Sequence, residues 1–99
     1  MLTNYELMLV LNPEVDENQS KALIEEVNRI IAGQEGEISK QDTLGKRPLA
    51  YPINKFTHGN YLVTQFTMDG SRTKELAKRL TLHEDIIRQL LVKLVNAKP

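Results

Sequence analysis

Apolar and polar positions alternate with period two near the start of the chain. In Tyr5-Glu6-Leu7-Met8-Leu9-Val10-Leu11, one side carries Tyr5, Leu7, Leu9 and Leu11 and the other Glu6, Met8 and Val10. This predicts a strand with one wholly core-like face and one mixed face. Asn12-Pro13 ends it. The period then lengthens: Leu23, Val27, Ile30 and Ile31 recur at helical spacing, with Ile24 at the margin. Asp16 stands where an N-cap is wanted and Gln19 three residues on, which completes a capping-box pattern. Gly33 or Gly36 is expected to stop this helix in a left-handed turn.

A second strand is expected over residues 37–44 and resumes through Leu49, Tyr51 and Ile53, which alternate, with Pro48 and Pro52 interrupting it. Phe56-Thr57-His58-Gly59-Asn60 has the composition of a turn. Residues 61–68 form a third strand, rich in β-branched and aromatic residues. Leu62, Phe66 and Met68 face one way and Tyr61 and Val63 the other. Asp69-Gly70-Ser71 reads as turn and cap, with a short helix from Ser71 that shares Leu76, Ala77 and Leu80 on one face. Arg72, Lys74, Lys78 and Arg79 lie elsewhere on it. Residues 86–95 are the last strand. The run Leu90-Leu91-Val92 leaves its inward parity open, and Ala97-Lys98-Pro99 is a stub.

The order is therefore strand, helix, strand, twice over. It predicts an α+β, ferredoxin-like split βαβ domain spanning 1–99, a four-stranded antiparallel sheet with two helices on one face. Right-handed crossovers put strands one and three in the centre and two and four at the edges. The edge position bears on the prolines. Pro48 and Pro52 are four residues apart, so their missing N–H groups point to the same side of the strand. If that is the outer side, both are tolerated and both blunt the edge against stray pairing.

Composition adds little until it is divided along the chain. The 99 residues have no cysteine and a formal net charge of zero. Disulfides and thiolate chemistry are excluded. The start, Met1-Leu2-Thr3-Asn4-Tyr5-Glu6, has neither a basic start nor an apolar run, so no signal peptide is expected. No apolar run approaches the length of a membrane span, and a soluble, cytoplasmic protein is expected. Residues 1–38 hold eight acids and two bases (2 − 8 = −6), and residues 39–99 eleven bases and five acids (11 − 5 = +6). The asymmetry suggests a basic face for a polyanion or, equally, two helices of opposite charge.

Signals for catalysis are poor, and no catalytic, metal-binding or cofactor-binding residue is expected. The two histidines, His58 and His83, read as exposed turn residues, and Glu25-Glu26 as a solvated helix face. A Gly-rich phosphate loop is lacking, and Asn12-Pro13-Glu14-Val15-Asp16 would repel an anion. The helix-free face of the sheet is expected to show Glu6, Met8, Val10, Tyr61 and Val63, rimmed by Arg47, Lys55, Arg88 and Lys93. A lone Tyr61 is not a stacking platform, and Asn60-Tyr61-Leu62-Val63-Thr64-Gln65 lacks the RNA-recognition-motif octamer. On the residues alone, protein contact at this face ranks ahead of base stacking.

Several landmarks occur together in order: Tyr5-Glu6, Leu11-Asn12-Pro13, Leu44-Gly45, then Leu49-Ala50-Tyr51-Pro52-Ile53-Asn54-Lys55 and Gly59-Asn60-Tyr61. With them the chain resembles, nearly end to end, the bacterial small-subunit ribosomal protein number six family. The resemblance implies the fold derived above and an assembly role without catalysis or cofactor. It implies binding to the central domain of small-subunit ribosomal RNA, as a pair with ribosomal protein number eighteen, and neither a membrane nor a small-molecule substrate. Carried over position by position, Arg47, Tyr51 and Lys55 are the first RNA-contact candidates. Lys46 and Tyr61 come next, then Arg88 and Lys93. Met8, Val10 and Val63 are candidates for the protein partner. The alternative is a protein-interaction module whose RNA affinity arises only in the heterodimer. Two departures are visible. Leu2-Thr3-Asn4 is neutral where many members carry arginine or lysine, and the chain stops at Pro99 where many have a longer, often acidic tail.

Overall fold

The computed structural model describes residues 2–53 and 55–94. The elements follow the expected order: β1 (Leu2–Leu11), α1 (Glu17–Gly33), β2 (Glu37–Ile53), β3 (Phe56–Asp69), a 3₁₀ turn (Gly70–Arg72), α2 (Thr73–Thr81) and β4 (Ile86–Lys93). The sheet order is β2-β3-β1-β4, antiparallel throughout. β1 and β3 are central and β2 and β4 are the edges. Both helices pack on one face. There Tyr5, Leu7, Leu9 and Leu11 of β1 and Leu62, Phe66 and Met68 of β3 meet Leu23, Val27, Ile30 and Ile31 of α1 and Leu76 and Leu80 of α2. The period-two and helical patterns thus converge on a single core, the ferredoxin-like split βαβ arrangement.

The capping box forms as expected. The Asp16 carboxylate accepts from the Gln19 N–H at 2.7 Å and the Gln19 side chain accepts from the Asp16 N–H at 3.1 Å. The other end of α1 differs. Glu35, not a glycine, takes the left-handed conformation at φ 62. Glu35 N–H donates to Ala32 and Gly36 N–H to Ile31, the paired bonds of a Schellman motif. Gly36 is needed one residue later, for space. A Cβ there would meet Ile31 Cγ2 at 2.7 Å, so the close approach and the left-handed residue fall on different positions.

Two strands run longer than their composition suggests. β2 continues unbroken from Glu37 to Ile53, and residues 56–60, expected as a turn, belong to β3. The reason is non-local: Lys46, Arg47 and Pro48 pair with Asn60, Gly59 and His58, and an edge strand tolerates the proline in this pairing. A bulge with Gly45 at φ 84 separates the Thr43 and Gly45 pairings. On β4 another bulge settles the parity. Val10 pairs with Arg88 but Leu11 with Ile86, so Ile86 and Leu91 both pack on the core. Leu90 and Val92 are left on the open face, 55% and 43% exposed. Val95 and the 97–99 stub lie outside the described residues.

Buried polar groups are paired. Thr64, fully buried, accepts from Gln41 at 3.0 Å, and Gln41 also donates to Asn28 of α1 at 2.7 Å. Gln89 of β4 donates to Ala77 O and Thr81 Oγ1 of α2. No buried side-chain nitrogen or oxygen is left unsatisfied among the described residues.

Asp69 caps the 3₁₀ turn, accepting from both the N–H and the hydroxyl of Ser71 at 2.9 Å. These bonds favour the carboxylate, the backbone one most, and lower its pKa to about 2 from an ordinary 3.8. A depressed folded-state pKa contributes stability above the unfolded value, and that stability is lost as pH falls through the folded one. The stability difference between wild type and Asp69→Asn is therefore expected to hold above about pH 4 and to shrink between pH 4 and 2. Thermal melts at pH 6 and pH 2.5 measure it, and an unchanged difference would remove Asp69 as the cause.

Candidate nucleic-acid and partner interface

The site begins with a mismatch in length between two paired strands. Pro48 pairs with His58 and Ile53 with Phe56. Between these pairs β2 carries residues 49–52 and β3 only Thr57. The excess cannot lie flat in a ladder, so the strand arches out. The two prolines, both exposed, bound the arch, and neither can donate a hydrogen bond that would pull it back into the sheet. The connection to β3 turns at Lys55, with φ 70.

The arch lies over the open, helix-free face as a strap. Leu49, Tyr51 and Ile53 from the strap, Met8 and Val10 from β1, Tyr61 from β3 and Arg88 and Leu90 from β4 line one groove of about 250 Å³. At its tip, Arg88 Nη1 donates to the Tyr51 hydroxyl at 2.6 Å, and the guanidinium lies 5.8 Å from the Tyr51 ring centroid. Tyr51 nevertheless stays 56% exposed. Its hydroxyl is tied to β4 and much of its ring remains open, so the residue both packs and presents a surface. Hydrogen bond and cation–π contact together fix a planar cation beside an aromatic face, chemistry that suits a phosphate, a base or a partner side chain.

The expected site residues separate into three groups. Tyr51, Tyr61 and Arg88 share the groove, and Arg47, opposite Gly59 in register, lies on the same face. Lys46 falls on the opposite parity, opposite Asn60, which itself pairs with core residue Leu11. With Lys55 it lines a shallow cleft of about 210 Å³ on the reverse of the hairpin, beside Glu14 and His58. Lys93 is separate from both. It pairs with Tyr5, as Leu91 pairs with Leu7, so its register places it on the helix side and not on the open-face rim.

The partner candidates divide as well. Met8 and Val63 are paired, half-buried and on the open face. Val10 is only 5% exposed, so it lines the groove but offers a partner little surface. Sequence reasoning missed Ile53 and Leu90 as groove walls. Ile53 carried an alternation signal, but the facing of Leu90 depends on the β4 bulge.

Among the described residues, the two histidines have separate surroundings. His58 is exposed on β3, beside the Thr57 hydroxyl at 3.0 Å. His83 is half-buried, with Nε2 at 3.7 Å from Glu26 Oε2. Glu26 also pairs with Arg29, so it joins α1 to the segment before β4 instead of facing solvent as Glu25 does. Among the described residues there is no group of three side chains able to hold a metal, and no helix is long and apolar enough to cross a membrane.

Comparison with known proteins agrees with the landmarks. The family model described as Ribosomal protein S6 matches residues 4–93. The chain is 40% identical over 91 residues to small ribosomal subunit protein bS6 of Clostridioides difficile, covering 92% of this chain and 98% of that one. It is 35% identical over 92 residues to bS6 of Desulforamulus reducens, covering 93% and 97%. Among solved structures, 30S ribosomal protein S6 of Thermotoga maritima superposes with a TM-score of 0.89 at 34% identity, over 95% of this chain and 89% of that one. The P2 domain of the chemotaxis kinase CheA from Thermotoga maritima, solved in complex with the response regulator CheY, reaches a TM-score of 0.61 at 15% identity, over 95% and 100%, a likeness of fold alone. With the family model spanning nearly all of the described strands and helices, and both relatives covered almost from end to end, the chain belongs to the ribosomal protein S6 family.

Proposed function

We propose that this protein binds the central domain of small-subunit ribosomal RNA as a pair with ribosomal protein number eighteen. Its family is one of small-subunit ribosomal proteins and not an enzyme family, which supports a structural role on the ribosome. The observation that carries the reading is the strap. It holds Tyr51 and Arg88 together over an apolar groove, with Arg47 on the same face and Lys46 and Lys55 on its reverse. Base stacking and phosphate contact both use such residues. The groove walls, Met8, Ile53 and Leu90, suit a protein side chain better than a phosphate. A net charge of zero favours RNA affinity that becomes strong only with a basic partner, since independent RNA binders are usually basic.

Gel shifts with a central-domain RNA fragment, with and without the partner, separate solo from joint binding. Arg47 and Lys55 are exposed, so Arg47→Ala and Lys55→Ala are expected to leave the melting temperature unchanged. Together they are expected to lower the slope of log affinity against log salt by roughly 1.4 to 1.8, the counterions of two phosphates. An unaltered slope would remove both residues from the RNA surface. Tight specific binding by the isolated chain would rule out the heterodimer-only reading.

A further inference from the structure

Among the described residues, Val10 and Gly59 are buried on the open face, where no helix packs. Val10 is 5% exposed while its neighbour Met8 stays half-exposed. The hairpin backbone at Gly59 lies against Val10. A Cβ at Gly59 would lie 2.3 Å from Val10 Cγ1 and 3.6 Å from Leu49 Cδ2. Gly59 is not in the left-handed region, so its backbone would accept any residue. Glycine is needed there for space alone. Val10 cannot yield easily, because a β-branched side chain is stiff at χ1 and this one stands on central strand β1.

We propose that Gly59 and Val10 are positioning residues for the interface: the absent side chain at 59 seats the hairpin on Val10, and this seat sets where Tyr51 meets Arg88. The register makes the coupling direct. Val10 pairs with Arg88 across β1 and β4, so one rung of the sheet carries the seat under the root of the strap and the latch at its tip. Leu49 lies against the Gly59 position and lines the same groove as Tyr51 and Arg88. A displacement of about an ångström at the root stretches the 2.6 Å Arg88–Tyr51 bond past the range at which such a bond holds. The groove would remain, with its aromatic and its cation no longer pre-organised. Gly36 offers a contrast: a Cβ there would strike Ile31 in the core.

The test is a compensating pair. Gly59→Ala, Val10→Ala and the double variant are compared by NMR in the free protein, following the contact of the Tyr51 ring with Arg88 and Leu90, and by urea denaturation. Binding of the partner–RNA complex is measured in parallel. Gly59→Ala is expected to lose the Tyr51 contacts and to bind about tenfold more weakly, the cost of ordering the strap on binding. Val10→Ala is expected to keep the contacts. In the double variant, removal of Cγ1 makes room for the new Cβ, and contacts and affinity both return. Gly36→Ala is expected to lower stability while leaving the contacts in place. If Gly59→Ala does not fold, the double variant decides: it must fold and show the Tyr51–Arg88 contact. Retention of the contact in Gly59→Ala, or its absence in the double variant, overturns the proposal. The affinity readout rests on the RNA reading above. If wild type binds no RNA, that reading fails, and the NMR contacts still decide the seat.

Discussion

Phe66→Ala is expected to lower the stability of the free protein by about 3–5 kcal/mol, at the upper end of the range for truncating a core side chain. Phe66 sits on central strand β3 and is 1% exposed. Its ring stacks on Tyr5 of β1, with centroids 5.8 Å apart and planes at 29°, and it lies against the Gly36 turn that brings α1 into β2. Truncation removes the apolar contact and leaves a cavity that the two central strands cannot collapse into. Domains of this size are typically stable by about 5–15 kcal/mol, so the variant is expected to keep at most about four-fifths of its margin and, at the low end of that range, to unfold. Guanidinium denaturation measures the change, and an unaltered slope with denaturant would show that the denatured state is not the cause. A loss under about 1 kcal/mol would mean that the Tyr5–Phe66 stack is peripheral to the core.

The second large effect is on binding. Arg88→Ala removes the hydrogen bond to Tyr51 and the cation beside its ring, and is expected to weaken the complex of partner and RNA by about 2 kcal/mol, roughly thirtyfold. Arg88 is exposed, so the melting temperature is expected to change little. Arg88→Lys separates the two roles. Lysine restores the charge that attracts phosphate but not the planar fork that holds Tyr51, and only partial recovery is expected. Isothermal titration of the three proteins against the preformed partner–RNA complex gives the comparison. Wild-type affinity in Arg88→Ala would exclude the strap's contact with β4 from the interface. Full recovery in Arg88→Lys would reduce Arg88 to a point charge.

The same residues mark how far local pattern reaches. Alternation in residues 5–11 and 61–68 identified the core faces of β1 and β3, because a strand's side chains change side at every residue. Asp16 and Gln19 marked the start of α1 because a capping box is satisfied within four residues. Element order then led to the sheet order. Errors fell where a contact from elsewhere in the chain outweighed local preference. Gly59 has the composition of a turn, but it lies in a strand because β2 pairs with it and Val10 leaves no room for a side chain. Lys93 was expected on the open face, but the pairing of β4 with Tyr5 puts it on the other. Leu90, Leu91 and Val92 look alike in sequence, and only the bulge opposite Val10 and Leu11 separates wall from core. Glu35 took the left-handed position, while the neighbouring glycine provides space against Ile31.

Local pattern was therefore enough for the order of the elements, the core faces of β1, β3 and the two helices, and the edge position that admits Pro48 and Pro52. The family landmarks were legible in the same way, being short strings. The position of Tyr51 was not legible. Its partner Arg88 lies 37 residues away on the far edge of the sheet, and nothing near Tyr51 in sequence specifies which way residues 49–52 arch. That direction comes from the extra residues opposite Thr57, the missing side chain at Gly59 and the rung shared by Val10 and Arg88. It is a property of four strands packed together, and it turns an interrupted strand into a strap across the open face.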